Sequence, residues 1–207
     1  MNLRRRMLAL LATLPFFPEL ANAQSISLKP TPQDTLGPFY PPRWAGEIDS
    51  DLIHFAGKNF ARGTPLALTG RVQATNGTPL IGATLEIWHT DDRGKYRHPD
   101  DDGEGPAQRG FQGYGRTQTD AEGHYAFRTI KPGLYGGRPP HVHFKVVATG
   151  HRELVTQMYF AGDNTERGFN FGFSKERERL TVTPTASRDG TREALAARFD
   201  LVLARSG

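Results

Sequence analysis

LALTGRVQATNGTPLIGATLEIWHTD, residues 66–91, contains two clear strand patterns. Polar and apolar side chains alternate over residues 66–75, which predicts a half-buried β-strand. Asn76-Gly77 follows, a dipeptide typical of the tight turn in a β-hairpin. TLEIWHTD (84–91) then reads as a second strand. Two strands separated by turn residues favour a β-rich chain.

The same texture continues to the C-terminus. Many short strands at near-regular spacing predict an all-β fold, an antiparallel β-sandwich over residues 64–207. Two long segments, 93–116 and 131–140, are predicted to be loops, and loops of this length are often functional. Only Arg192–Arg198 looks briefly helical. The further predicted strands are TDAEGHYAFRTI (119–130), HVHFKVVATG (141–150), ELVTQMYF (153–160), ERLTVTPT (178–185) and FDLVLA (199–204).

The N-terminal segment differs from the rest of the chain. Residues 1–23 begin with three arginines at positions 4–6, continue through a mostly apolar stretch, and end with Ala-Asn-Ala. These are the three parts of a secretory signal peptide, so we expect cleavage near Ala23 and a periplasmic or secreted product. The adjacent arginines hint at the twin-arginine route. Residues 24–63 are polar and Pro-rich and predict an extended arm without a helix.

The composition narrows the classes of function. The chain has 207 residues, no cysteine and a formal net charge of +4. Loss of residues 1–23 removes three arginines and one glutamate, which leaves the mature chain at +2. This small charge gives no reason to expect a nucleic-acid or membrane partner. Without cysteine, any metal site must use nitrogen and oxygen ligands.

The segment YGGRPPHVH (135–143) concentrates reactive side chains. His141 and His143 are predicted to lie in a strand, where residues i and i+2 share a face about 6.6 Å apart. Both imidazoles can therefore reach one metal ion. Two imidazoles alone suit Zn, Cu, Fe or Ni, and histidines also occur as solvated residues on a sheet surface. The spacing by itself leaves both interpretations open.

Tyr135 narrows the choice of metal. Gly136-Gly137 allows the chain to reverse after it and Pro139-Pro140 stiffens the approach, so the phenol can fold over the face of the histidines. A tyrosine hydroxyl has a pKa of about 10, and it binds at neutral pH only to a cation acidic enough to displace its proton. Ferric iron does this and zinc does so poorly. Two histidines and a tyrosine therefore indicate Fe(III).

A second tyrosine, Tyr96, lies in GKYRHPDDD (94–102), and alone it is an ordinary aromatic near a strand end. Together these motifs resemble the intradiol ring-cleavage dioxygenases, the family that contains protocatechuate 3,4-dioxygenases and catechol 1,2-dioxygenases. The resemblance covers most of the chain after residue 23. It runs through TLGPFYPP (35–42), GATLEIWHTDDRGKYRH (82–98), FQGYGRTQTDAEGHYAFRTIKPGLY (111–135), RPPHVHF (138–144) and TQMYFAGD (156–163).

The resemblance implies a cofactor and a reaction. The cofactor is non-haem Fe(III), and the family's four ligands fall on Tyr96, Tyr135, His141 and His143. The substrates are a small aromatic diol and O2. The ring is cut between its two hydroxyl-bearing carbons, which gives a cis,cis-muconate.

The resemblance also assigns roles to residues around the metal. Arg138 stabilises negative charge that develops on the substrate. Gln157, in the motif T-Q-x-x-F, orients oxygen ligands by hydrogen bonds. Tyr135 helps to take up a proton, and Gly37 and Pro38 line the substrate pocket.

Two departures from the relatives leave questions open. Protocatechuate enzymes carry a longer segment between the second tyrosine and the arginine, whereas this chain has only Gly136-Gly137. The identity of the catechol is therefore open. Catechol 1,2-dioxygenases have a helical N-terminal dimerisation region, and the arm over 24–63 shows no helical periodicity. The sequence is compatible with a monomer, a homo-oligomer or a partner chain.

Two other functions remain as alternatives at this point. The patterns GTPLIGA (77–83) and TDAEGHYAF (119–127) also occur in non-catalytic β-sandwich binding modules of the carboxypeptidase-regulatory type, where they are architecture. Those modules lack the His-x-His pair and the Tyr96 motif. The second alternative is a β-sandwich that holds Cu or Zn through the same histidines.

Overall fold

The computed structural model describes residues 27–41, 43, 46–54, 61–163 and 175–207. The expected signal peptide of residues 1–23 lies outside the described residues, as does part of the arm expected over 24–63. In the described ranges, no helix has the length and apolar character needed to cross a membrane.

Strands account for nearly all of the regular structure in the described residues. The single short helix, α1 (Lys175–Glu178), precedes the C-terminal strands. The strands are β1 (Pro65–Ala74), β2 (Thr84–Trp88), β3 (Tyr114–Gln118), β4 (His124–Ile130), β5 (His141–Val147), β6 (Leu154–Phe160), β7 (Thr181–Val182), β8 (Thr185–Asp189), β9 (Arg192–Arg198) and β10 (Leu201–Leu203).

The strands form two five-stranded sheets that pack as a sandwich. In the first sheet, β1 pairs with β4, β9 and β10, and β9 also pairs with β8. The second sheet has the order β3-β2-β5-β6-β7. The predicted all-β sandwich is confirmed. Both sheets are mixed, because β1 pairs in parallel with β9 and β10, and β6 pairs in parallel with β7.

Strand β5 is buried on both faces. Val142, Phe144 and Val146 point into the core between the sheets, where they join apolar residues of both sheets in one cluster. The alternate residues, His141 and His143, are equally buried but lie on the opposite face. The alternation predicted from the sequence is therefore present, and something other than the first sheet must cover the histidines.

Asn76-Gly77 forms the predicted tight turn without joining a β1–β2 hairpin. The Ala74 amide donates to the Thr78 carbonyl at 2.9 Å, and the Leu80 amide donates to the Val72 carbonyl at 3.0 Å. The chain then crosses to the second sheet, where β2 pairs with β3 and β5. In opposite sheets, the apolar faces of β1 and β2 both contribute to the shared core.

The prediction of a short helix over Arg192–Arg198 is wrong. These seven residues form β9, which pairs with β1 on one edge and β8 on the other. Alanine, leucine and glutamate favour a helix, but a helix this short is marginal on its own. The two neighbouring strands supply hydrogen bonds on both edges, so tertiary context overrides the local preference.

The first predicted loop ends earlier than residue 116. Tyr114–Gln118 forms β3 and pairs with β2 along the edge of the second sheet. The loop between β2 and β3 is also partly buried, since Phe111 belongs to the main core. Its buried part packs onto the body of the protein, whereas residues 102–106 are exposed.

The N-terminal arm ties the two sheets together. The Leu28 amide donates to the Thr75 carbonyl at 2.7 Å and the Thr31 amide to Val202 at 2.9 Å, both at the first sheet. The Asp34 amide then donates to the Val155 carbonyl of β6 at 2.9 Å, in the second sheet. This path carries the following arm residues over the face of β5 that holds the histidines.

Candidate metal centre

An aromatic cluster covers the histidine face of β5. Its members are buried or partly buried, and they come from the arm, from β2, from the β2–β3 loop, from β3 and from the β4–β5 loop. The aromatic cluster consists of Phe39, Tyr40, Trp88, Tyr96, Tyr114 and Tyr135. Under it, His141 is 3% exposed and His143 is 2% exposed.

Three of the four predicted ligands converge at one point. The Tyr96 hydroxyl lies 3.2 Å from Nε2 of His141 and 3.2 Å from Nε2 of His143. Two donor atoms that each lie about 2.1 Å from a common ion at a right angle are about 3.0 Å apart. The spacing of these three donors therefore fits ligands that share one metal ion.

Both imidazoles are prepared to act as neutral ligands. Nδ1 of His141 donates to the Pro139 carbonyl at 2.8 Å, which fixes the tautomer and leaves Nε2 with its lone pair. Burial and the charge of Arg138 lower the pKa of His141 to about 4. Burial, His141 and Arg138 lower the pKa of His143 in the same way. Neutral imidazole is the form that binds a metal ion.

The phenol of Tyr96 needs a strongly acidic cation to ionise. Burial raises the pKa of Tyr96 well above its usual value, although the nearby charge of Arg138 opposes this shift. Without a metal the hydroxyl is protonated at neutral pH, so phenolate ligation requires a cation that displaces the proton. This donor set fits ferric iron better than zinc.

Tyr135 lies beside the other three predicted ligands. Its ring centroid is 5.3 Å from that of Tyr96 and 5.2 Å from that of Phe39, and the side chain is partly exposed. Among the described residues its hydroxyl makes no hydrogen bond to Tyr96, His141 or His143. Tyr135 is thus at the rim of the cluster, whereas the other three are beneath it.

Two glycines allow the loops that carry the tyrosines to touch. A Cβ on Gly94 would lie 1.7 Å from the Leu134 carbonyl oxygen, and one on Gly133 would lie 2.4 Å from the Gly94 nitrogen. Any larger residue would push the two backbones apart. These are the glycines two positions before Tyr96 and Tyr135, so their close approach explains how the two phenols meet.

Asp101 anchors the backbone of Tyr96. Its carboxylate accepts from the Tyr96 amide at 2.6 Å and from the Gly103 amide at 2.9 Å, and it pairs with Lys95 Nζ at 3.2 Å. The carboxylate is fully buried. This role could not be predicted from the sequence, because Asp101 lies in a run of acidic residues and such runs are usually exposed to solvent.

The arm supplies the ceiling of the site. Gly37 has a φ of 72°, and a Cβ there would lie 3.0 Å from Cε1 of His143, so the arm backbone rests directly on this histidine. Phe39 packs on Tyr96 with a centroid distance of 4.6 Å. Pro38 is exposed. Of the two predicted pocket residues, Gly37 is therefore the one in contact with a predicted ligand.

Trp88 is a site residue that no sequence motif singled out. It is buried, but its ring stacks on His143 with a centroid distance of 4.8 Å and an interplanar angle of 10°. The two residues are direct partners in the β2–β5 register. The sequence signal was present in the alternation of β2, which puts Trp88 on the face opposite Ile87.

Arg138 and Gln157 form a pair at the edge of the site. Nη2 of Arg138 donates to Oε1 of Gln157 at 2.7 Å. Gln157 is fully buried and is the register partner of His143 in β6. Its charge opposes the burial that raises the pKa of Tyr96, and it adds to the burial that lowers the pKa values of His141 and His143, so the guanidinium acts on all three predicted ligands.

The chain matches a family model described as Dioxygenase over residues 35–138 and 135–205. It is 38% identical over 195 residues to the protocatechuate 3,4-dioxygenase beta chain of Burkholderia cepacia, in an alignment that covers 86% of this chain and 81% of that one. The chain belongs to the intradiol ring-cleavage dioxygenases. Members of this family are oxidoreductases, so the chain is an enzyme and the binding-module alternative is excluded.

The chain is also similar in sequence to catechol 1,2-dioxygenases. Catechol 1,2-dioxygenase 1 of Acinetobacter lwoffii is 34% identical over 151 residues, which are 64% of this chain and 47% of that enzyme. The chain thus spans about half the length of this relative.

Solved structures agree with the fold. The dioxygenase domain of a dioxygenase carbohydrate-binding protein fusion from Streptomyces sp. SirexAA-E has a TM-score of 0.67 at 30% identity, and covers 86% of this chain and 100% of that one. Catechol 1,2-dioxygenase from Acinetobacter sp. ADP1 has a TM-score of 0.68 at 31% identity, and covers 86% of this chain and 63% of that enzyme.

Proposed function

We propose that this intradiol dioxygenase binds non-haem Fe(III) and cleaves a small aromatic diol with O2. The ring opens between the two hydroxyl-bearing carbons to give a cis,cis-muconate. The observation that carries the proposal is the approach of the Tyr96 hydroxyl to within 3.2 Å of both Nε2 atoms, in a member of this family. The proposed iron ligands are Tyr96, Tyr135, His141 and His143.

Bound ferric iron supplies a positive charge that lowers the pKa of a catechol's hydroxyls. The residues around it have separate tasks. The aromatic cluster keeps bulk water from the buried donors and so strengthens electrostatic interactions there. Tyr135, at the partly exposed rim, would be a phenolate when it serves as an iron ligand, and in that form it would take up one proton of an incoming diol.

Arg138 stabilises the negative charge that develops as the ring reacts. Its guanidinium is held by Gln157 at 2.7 Å beside the predicted ligands, so the charge is in place before the reaction begins. Such preorganised charge contributes more in a site shielded from water than in solution. Gln157 acts by holding this charge, in addition to the role implied by resemblance.

Wild-type protein should contain iron, show the burgundy colour of tyrosinate-to-ferric charge transfer, and consume one O2 per catechol. Metal analysis, visible spectra and oxygen uptake with a panel of catechols check these three expectations. Mass spectrometry of the product formed under ¹⁸O2 should show both labelled atoms in a ring-opened diacid. A colourless protein that carries copper or zinc with all four proposed ligands intact, and does not take up O2, would favour the second alternative and overturn the proposal.

We also propose that the chain is exported and that its signal peptide is cleaved near Ala23. Full-length protein with a C-terminal tag should accumulate outside the cytoplasm, and N-terminal sequencing should begin at Gln24. Changing Arg4, Arg5 and Arg6 to lysine should block export if the route is the twin-arginine pathway and leave it intact if the general pathway is used. Uncleaved protein confined to the cytoplasm contradicts export altogether.

A further inference from the structure

A chain of hydrogen bonds runs from the N-terminal arm to Arg138. It begins at the Asp34 carboxylate, which accepts from the hydroxyl of Tyr159 at 3.0 Å. The Tyr159 hydroxyl lies 2.9 Å from Oε1 of Gln157, which accepts from Nη2 of Arg138 at 2.7 Å. No role in the proposed reaction has so far been assigned to Asp34 or Tyr159.

The arm fixes which way the Gln157 amide points. Nε2 of Gln157 donates to the Thr35 carbonyl at 2.9 Å and lies 3.5 Å from Oδ1 of Asp34, both of which are acceptors. A carboxamide that turned over would present its oxygen to these acceptors and its NH2 group to the guanidinium. Only the observed orientation gives both the oxygen and the NH2 group of Gln157 suitable partners. Asp34 and Thr35 therefore keep the Gln157 oxygen directed at Arg138.

The single proton of the Tyr159 hydroxyl has two acceptors to choose from. They are the Asp34 carboxylate at 3.0 Å and the Gln157 carbonyl oxygen at 2.9 Å. A charged acceptor forms the stronger hydrogen bond, so the proton is donated to Asp34. Oε1 of Gln157 is then left to Arg138, and the Tyr159 oxygen turns a lone pair toward Nη2 of Arg138, 3.5 Å away.

We propose that Asp34 is a positioning residue of the active site, which directs the Tyr159 proton away from Gln157 and so reserves the Gln157 oxygen for Arg138. This inference rests on the proposed function, since it assumes that Arg138 stabilises charge during ring cleavage. Among the described residues, Asp34 makes no hydrogen bond to a predicted ligand; its side chain meets Tyr159 and Gln157 instead. Its effect therefore travels through two side chains, and it should alter turnover while it leaves the metal in place.

Asp34→Asn tests this assignment. An asparagine amide can donate to Tyr159 instead of accepting, which turns the tyrosine proton toward Gln157, where it competes with Arg138. We expect kcat to fall about 10-fold while KM for the diol changes much less, because the lost interaction acts in the transition state. Iron content and the visible spectrum should match the wild type. A crystal structure of the iron-loaded variant should show the Arg138–Gln157 contact lengthened beyond a hydrogen bond.

A double-mutant cycle separates this role from general support of the fold. Tyr159→Phe removes the proton that competes with Arg138, so it should lower kcat less than Asp34→Asn does. Asp34→Asn should have little further effect in the Tyr159→Phe background, because the hydroxyl through which Asp34 acts is gone. The matched control is Asp120→Asn, in the β3–β4 turn, where the carboxylate accepts from the Glu122 and His124 amides at 3.0 and 2.7 Å. Its kinetics should equal those of the wild type.

Three results would overturn the inference. They are wild-type kcat and KM in Asp34→Asn, additive effects in the double variant, and loss of iron in Asp34→Asn. If Asp34→Asn does not fold, Asp34→Ala removes the same charged acceptor and carries the same kinetic and crystallographic test. Failure of the proposed function is a different result, since wild-type protein would then lack iron and turnover while the Arg138–Gln157 contact still depended on Asp34.

Discussion

His143→Ala should purify without its iron and without colour, and its turnover of catechols should fall by more than about 100-fold. Loss of a residue that merely supports a metal ligand already costs about 10-fold to 100-fold, and this change removes a proposed ligand itself. His143 lies 3.2 Å from the Tyr96 hydroxyl and stacks on Trp88, so its ring has a fixed position among the proposed ligands. Metal analysis and the visible spectrum measure the loss directly.

His124→Ala is the matched control for this variant. His124 begins β4 on the first sheet and its side chain is about half exposed, with Asp120 as its charged neighbour. We expect wild-type iron, colour and turnover from it. Retained iron and turnover in His143→Ala would refute the proposed ligand set, whereas equal losses in both variants would point to damage unrelated to ligation.

Phe144→Ala, one residue further along β5, should destabilise the fold. Phe144 is fully buried and packs against the rings of Phe199 at 5.3 Å and Tyr125 at 6.2 Å, which belong to the opposite sheet and its connections. Removing a buried phenylalanine costs about 3–5 kcal/mol from lost burial and the cavity that remains. For a protein of this size, that lowers the midpoint of thermal unfolding by about 6–20 °C.

Thermal and denaturant unfolding of the iron-free protein check this prediction without a contribution from the metal. Val147→Ala is the control on the same strand, since Val147 is 45% exposed and should cost less than about 1 kcal/mol. Similar losses of stability in Phe144→Ala and Val147→Ala would show that the core is not organised around Phe144.

Much of the fold, and the shared face of His141 and His143, could be predicted from the sequence because both depend on short-range periodicity. Alternation in β5 puts His141 and His143 on one face and Phe144 on the other, and the structure has this arrangement. Gly94 and Gly133 stand in the sequence motifs that carry Tyr96 and Tyr135, but only the structure shows that these two glycines are in contact.

The parts that could not be predicted depend on contacts between distant segments. Asp34 lies in an arm without periodicity, and its partner Tyr159 is 125 residues away. Asp101 looks solvated in an acidic run, yet it is buried because the loop folds back over Tyr96. Arg192–Arg198 has helix-favouring residues and still forms a strand, because β1 and β8 supply hydrogen bonds that no local pattern reveals.

Because β5 is buried on both faces, its register with β2 and β6 is strongly specified. A slip of one residue would turn every side chain over, so that Phe144 would face Tyr96 and the two imidazoles would enter the apolar core. Such a slipped strand would leave buried polar nitrogens without partners and would also lack a metal site. The slipped pairing would therefore be destabilised in two ways, by polar groups buried in the core and by loss of the proposed metal site. The proposed iron ion, if it binds only the correct alignment, would stabilise that alignment over its nearest competitor.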